Sequence, residues 1–274
     1  MMRMIEALQL EFLRNAIFAG LLASLLCGVI GTFVVVNRLV FLSGGIAHSA
    51  YGGIGLALFL GVPYLIGTIG FTLGAALILA VITMKAKHRS DTIIGVIWAV
   101  GMALGIIFID LTPGYNVDLM SYLFGSILTV SRSDLYQMSV ISAVVLFAVN
   151  YFYYDLLAMS YDEEFANLRG VPVGLLYPLL LCLVALSIVL IIRVVGLILV
   201  MALFTIPPFI AEKYSGSLRT MMLISVLLGA LFSLSGLYFS YVFNLTSGAS
   251  IIMVAAAGFF ISTAVDHLFR KRIN

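Results

Sequence analysis

Charge is scarce in this sequence: Asp, Glu, Lys and Arg make up 9% of its 274 residues, against 63% hydrophobic. So few polar groups cannot cover a soluble globule of this length, which excludes that class and leaves lipid as the solvent. Cysteine is equally sparse. Cys27 and Cys182 both fall inside apolar stretches, which excludes a disulfide framework. No Gly-x-x-x-x-Gly-Lys-Ser/Thr occurs, so nucleotide binding through a P-loop is excluded as well. The net charge of +2 is spread over short loops and gives no footprint for nucleic acid.

What the chain does have is long uncharged runs: 15 to 37, 39 to 84, 92 to 109, 135 to 154, 170 to 192, 194 to 211 and 220 to 265. A helix needs about 20 apolar residues to cross the hydrocarbon core while satisfying its own backbone, so each run holds one span or two. The two longest runs break at Gly61-Val62-Pro63 and at Asn244-Leu245-Thr246-Ser247-Gly248, which makes each a helical hairpin. The expected spans are 14 to 36, 43 to 60, 64 to 84, 92 to 110, 134 to 154, 174 to 192, 195 to 211, 219 to 242 and 247 to 265. The fold class is therefore all-α, a polytopic transmembrane bundle of eight or nine spans. The apolar segment 118 to 130 is too short to span and reads as a half-helix or re-entrant turn. The first run lacks a small-x-small cleavage site and follows Glu6 and Glu11, so it reads as a span and not an export signal. Lys85, Lys87 and Arg89, and Arg270, Lys271 and Arg272, mark cytoplasmic ends. With nine spans these agree with an external N-terminus, a cytoplasmic C-terminus and an internal loop 155 to 173, while Arg193 falls near the outer face.

Within L-S-G-G-I-A-H-S-A-Y-G-G-I-G, residues 42 to 55, Gly44, His48 and Gly52 recur every four residues and share one helix face. Small residues at such spacing let helices approach closely, so His48 is either a packing residue bonded to a neighbour or an imidazole facing a metal pathway. No Cys-x-x-Cys, His-x-x-x-His or carboxylate cluster accompanies it, so a metal site there needs distant partners. The segment Ser160 to Val173, S-Y-D-E-E-F-A-N-L-R-G-V-P-V, reads as a short capped helix. Asp162, Glu163 and Glu164 suit its positive end, and Gly170 with Pro172 stops it. It is either a connector or a surface on which a soluble motor docks. Pro207-Pro208 removes two backbone donors and predicts a helix break or kink, or a helix end at Ile206. If that run is broken, the count falls to eight. A serine protease built on Ser235-Gly236 or Ser247-Gly248 with His267 is disfavoured, because His267 lies beside Asp266 at the cytoplasmic end. His88, in K-A-K-H-R, belongs to a solvated basic loop.

Several ordered blocks resemble the membrane permeases of zinc, manganese and iron ATP-binding-cassette importers. They are V-V-V-N-R-L-V-F-L-S-G-G-I-A-H-S-A-Y-G-G, D-T-I-I-G-V-I-W-A-V-G-M-A-L-G, V-D-L-M-S-Y-L-F-G-S-I-L, and D-E-E-F-A-N-L-R-G-V through V-G-L-I-L-V-M-A-L-F-T-I-P-P-F-I-A. The resemblance covers nearly the whole chain. It implies one permease domain over 1 to 274, of the type II importer architecture, in the cell's inner membrane. It also implies a homodimer served by separate ABC ATPase subunits inside and an extracytoplasmic metal-binding protein outside. The transported substrate would be a divalent metal ion, with no cofactor bound permanently and no catalysis by this chain. By the same likeness His48 would be a pathway ligand, with Gly44, Gly45, Gly52 and Gly53 packing its gate. Asp162, Glu163, Glu164, Phe165, Ala166 and Gly170 would form the coupling helix. Many family members carry an aspartate four residues before the histidine, where this chain has Gly44. A self-contained secondary transporter is the rival reading, but His48 is the one ionisable group deep in the apolar runs apart from cysteines and tyrosines.

Overall fold

The computed structural model describes residues 11–85, 90–113, 125 and 127–270, and among these the secondary structure is helical. The helices are α1 (Glu11–Val36), α2 (Val40–Leu60), α3 (Tyr64–Lys85), α4 (Ser90–Asp110), α5 (Arg132–Tyr151), α6 (Tyr153–Tyr161), α7 (Glu163–Leu168), α8 (Val173–Val195), α9 (Leu197–Tyr214), α10 (Leu218–Phe243) and α11 (Ser247–Arg270). Eight of them are long and apolar enough to cross a membrane. α2 has the length but is diluted by its glycines, His48 and Tyr51, and it is also largely buried by its neighbours. Eight candidate spans among the described residues fall within the eight or nine expected, and α2 occupies the ninth expected position, 43 to 60. Much of the 118 to 130 segment lies outside the described residues, as do Asp118, His88, Lys87, Arg89, Lys271 and Arg272; its end forms a 3-10 turn, Ile127–Thr129.

Turn chemistry sets where the helices stop. α2 ends at Gly61 (φ 65°), whose amide and that of Val62 return to the Leu58 and Ala57 carbonyls. α7 ends the same way at Gly170 (φ 81°) and α10 at Asn244 (φ 54°), so orphan carbonyls are satisfied by left-handed residues suited to it. α1 ends likewise at Arg38 (φ 56°), with Leu39 N donating to Val34 O over 2.8 Å. Arginine carries a Cβ penalty there that glycine would not.

Packing depends on small residues, because lipid supplies no hydrophobic drive between helices. α1 is central and meets α5, α8, α9 and α10. Gly28 lies against the Val226 backbone and Gly20 against Ser233, while Ser24 and Ser233 share a 3.1 Å hydroxyl contact. α2 is held between α3 and α4, and its contact with α4 is the most extensive in the bundle. Large apolar side chains that remain exposed, among them Phe18, Ile66, Phe147, Leu223 and Phe260, face outward as a lipid-contacting surface must.

Of the outcomes expected at Pro207-Pro208, neither a break nor a helix end at Ile206 is seen, since α9 runs through both prolines. The prolines deprive the Leu203 and Phe204 carbonyls of their usual partners, and α1 covers one of these. A Cβ on Gly31 would stand 2.7 Å from the Phe204 oxygen and 3.0 Å from Pro208 Cγ, so the glycine lets backbone close over the freed group. The break falls at Gly196, between α8 and α9, where φ 81° and ψ 163° form a conformation open essentially to glycine. Gly125 packs directly on the Gly196 and Val195 backbone, also with positive φ.

Candidate functional site

α2 and α4 run side by side because their sequences leave room for it. A Cβ on Gly101 would meet Ser49 Cα at 2.7 Å, one on Gly105 would meet Tyr51 O at 2.5 Å, and one on Gly52 would meet Gly101 O at 3.0 Å. Gly45 closes on Ile94, while Gly53 turns to α3 and meets Thr68. Of the glycines expected to pack around His48, Gly45 therefore faces α4, Gly53 faces α3, and Gly52 lies between the two, 2.5 Å from the Phe71 ring of α3 at its Cβ position.

Against this close-packed stretch, one turn carries polar chemistry. The half-buried imidazole of His48 stacks on the Trp98 indole of α4, with ring centroids 3.8 Å apart and planes 16° from parallel. Its Nδ1 is buried and has no hydrogen-bond partner. Gly44, one turn earlier, faces the same group: its Cβ position lies 3.4 Å from Met201 Cε on α9 and 3.9 Å from Trp98 Cζ3. His48, Gly44, Trp98 and Met201 thus converge from three helices on one place inside the bundle.

Trp98 and Met201 are the members that reading along the sequence missed. The signal was present for one of them. Ile94, Trp98, Gly101 and Gly105 recur at four, three and four residues, a single face of α4, and the chain's one tryptophan lies on it. Met201 carries no such mark, since it comes from a helix whose approach to α2 only the fold decides. Among the described residues no group of three or more His, Cys, Asp or Glu could hold a metal ion. The donors on offer are the His48 imidazole and, against Gly44 one turn earlier, the Met201 thioether, a sparse set for a metal ion. Asp110, the last residue of α4, does not join this cluster and stands exposed.

The predicted short helix forms as α7. Asp162 is its N-cap, with Oδ1 accepting from Phe165 N at 2.9 Å, and Glu163 and Glu164 occupy its first turn. Ala166 is fully buried and anchors the helix, whereas Phe165 and Leu168 are 52% and 87% exposed. The Arg169 guanidinium lies 4.9 Å from the Phe165 ring centre. A six-residue helix that turns two large apolar side chains outward, beside acidic and basic groups, has the make-up of a docking knob. The protease arrangement is not assembled. Gly236 packs against Ile251, and His267 lies 16 residues further along α11, about 24 Å at the helical rise.

Residues 9–266 match the ABC 3 transport family. An uncharacterized membrane protein of Synechocystis sp. is 48% identical over 95% of this chain and 93% of its own length. The manganese import system permease protein ScaB of Streptococcus gordonii is 34% identical, covering 95% of each chain. Among solved structures, PsaBC from Streptococcus pneumoniae in complex with Fab superposes with a TM-score of 0.84 at 34% identity, over 94% of this chain and 93% of that one.

Proposed function

Because the chain belongs to the ABC 3 transport family, we propose that it is the membrane permease of an ATP-driven importer of a divalent metal ion. The observation that carries the reading is the His48 cluster: a buried imidazole nitrogen with no hydrogen-bond partner, on a ring stacked against Trp98 inside an apolar bundle. Relatives named for manganese transport and manganese import support the cargo class.

An external binding protein delivers the ion to the outer mouth of a pair of permeases. The ion passes His48, which exchanges for part of its hydration shell and then lets it go. A permease must release its cargo, so a site short of ligands serves it better than a closed tetrahedral cage. Gly44 leaves the turn before His48 open to Met201. Gly45, Gly52 and Gly53 keep α2 tight against α4 and α3, so that the gate moves as a packed unit. ATP is hydrolysed by separate ABC subunits. Their motion enters through α7, with Phe165 and Leu168 seated in a cleft of the ATPase and Ala166 fixing the helix to the permease. Asp162, Glu163, Glu164 and Gly170 set the start and end of that helix. The whole of 1 to 274 forms one permease domain in the cell membrane, with α7 and the C-terminus in the cytoplasm.

The test is metal-stimulated ATP hydrolysis and uptake by the reconstituted complex with its partner subunits, comparing zinc, manganese and ferrous iron. Stimulation by one of the three, lost in His48→Ala while assembly survives, is expected. Normal uptake by His48→Ala would return the histidine to a packing role.

A further inference from the structure

About two helical turns before His48, the turn that launches α2 is tied to α6, the helix that leads into α7. Asn37 follows the last residue of α1, and its Nδ2 donates to Phe33 O at 2.8 Å and to Ser160 Oγ at 2.9 Å. Ser160 in turn donates its own proton to Leu156 O at 2.7 Å. The polarity of this relay is fixed at both ends. The Phe33 and Leu156 carbonyls can only accept, so the amide nitrogen must face Phe33 and the serine oxygen must accept from Asn37. Ser160 lies in the last turn of α6, two residues before the Asp162 cap of α7. On the other side, Arg38 in its left-handed conformation and Leu39 lead into α2, and His48 stands about two turns along it.

The surroundings give the bond its weight. Beside it lies a cavity of about 230 Å³ whose walls include Asn37, Leu42, Thr83, Met159, Glu163 and Tyr177. That open space thins the packing through which a displacement of α7 could reach α2 there. A directional hydrogen bond across the rim can pass it. The turn it grips is strained, because Arg38 holds a conformation costly for a residue with a Cβ, and such strain persists where surrounding contacts over-determine it.

We propose that Asn37 and Ser160 are positioning residues for transport: their hydrogen bond carries the movement of α7 to the α1–α2 turn and so to His48. This rests on the permease reading above. The pair touches neither metal nor ATPase and acts on the ratio between ATP hydrolysed and ions moved.

The experiment uses the full complex with its ATPase and binding protein in proteoliposomes, loaded with whichever of manganese, zinc or ferrous iron stimulates the unaltered protein. Ser160→Ala removes the acceptor and leaves the Asn37 bond to Phe33 intact, and alanine is favoured in a helix. ATP hydrolysed per ion moved is expected to rise about fivefold, the factor one ordinary hydrogen bond contributes, with the half-saturating metal concentration unchanged. Ser160→Thr keeps the hydroxyl and is expected to match the unaltered protein. Asn37→Ala is expected to copy Ser160→Ala, and the double variant to be no worse than either single one. An unchanged ratio in Ser160→Ala, or additive losses in the double variant, overturns the proposal. So does a parallel fall in hydrolysis, uptake and thermal stability, which marks a purely structural bond. Failure of the unaltered complex to couple any of the three metals to ATP would instead overturn the permease reading itself.

Discussion

The imidazole of His48 and the indole of Trp98 lie face to face, 3.8 Å between centroids. Trp98 is the one tryptophan in the chain, so the residue that orients the histidine is also a reporter on it. Titration of the purified permease with manganese or zinc is expected to change Trp98 emission saturably, and His48→Ala to abolish the change. Emission indifferent to metal would place the ion's path elsewhere. Trp98→Leu, which removes the stack and the reporter but not the ligand, is expected to raise the metal concentration that half-stimulates ATP hydrolysis by the complex about tenfold, as loss of an orienting partner typically does.

The glycines of the bundle divide into those that touch backbone and those that face open space, and they should respond differently. Gly105→Ala would press a methyl onto the Tyr51 carbonyl and is expected to cost ~1–3 kcal/mol. At Gly70, Gly74 and Gly95 nothing lies within 4 Å of the new atom, so alanine there is expected to be neutral. Thermal unfolding in one detergent, read across the four variants, checks the contrast.

At the break between α8 and α9, Gly196 holds a backbone conformation that alanine does not tolerate. Gly196→Ala is expected to cost ~1–3 kcal/mol, and Pro207→Ala less, because α9 is helical on both sides of that proline. A Gly196→Ala protein as stable as the unaltered one would mean that the break is not required. The same thermal measurement decides.

Docking through α7 predicts a loss of partner without a loss of fold. Leu168→Asp alters a side chain 87% exposed and is expected to abolish co-purification of the ATPase while leaving the melting temperature of the permease unchanged. Asp162→Ala removes the cap that holds Phe165 N and is expected to cost about 1 kcal/mol of local stability and to weaken docking partially, with Asp162→Asn restoring it.

Gly61-Val62-Pro63, Asn244, Asp162 and Gly170 were legible in the sequence because a turn or cap is a local event: a few dihedrals and one or two hydrogen bonds decide it. Lengths of uncharged chain determined the spans for a related reason, since each membrane helix satisfies its own backbone. That α9 continues through Pro207-Pro208 was not legible, because the cost of a freed carbonyl depends on what covers it. The cover is Gly31, more than 170 positions away in the chain. Gly196 was overlooked because one glycine among aliphatic residues shows no mark of the Gly125 backbone that meets it.

The sequence by itself thus determined an all-helical membrane bundle, the ends of its helices, the histidine in its glycine stripe and the short capped helix, all set by composition and near neighbours. The tertiary structure alone decided that Trp98 and Met201 gather at Gly44 and His48, and that Asn37 reaches Ser160. Those contacts join residues from about 50 to more than 150 positions apart, and only the packing of small residues between helices fixes which side chains meet.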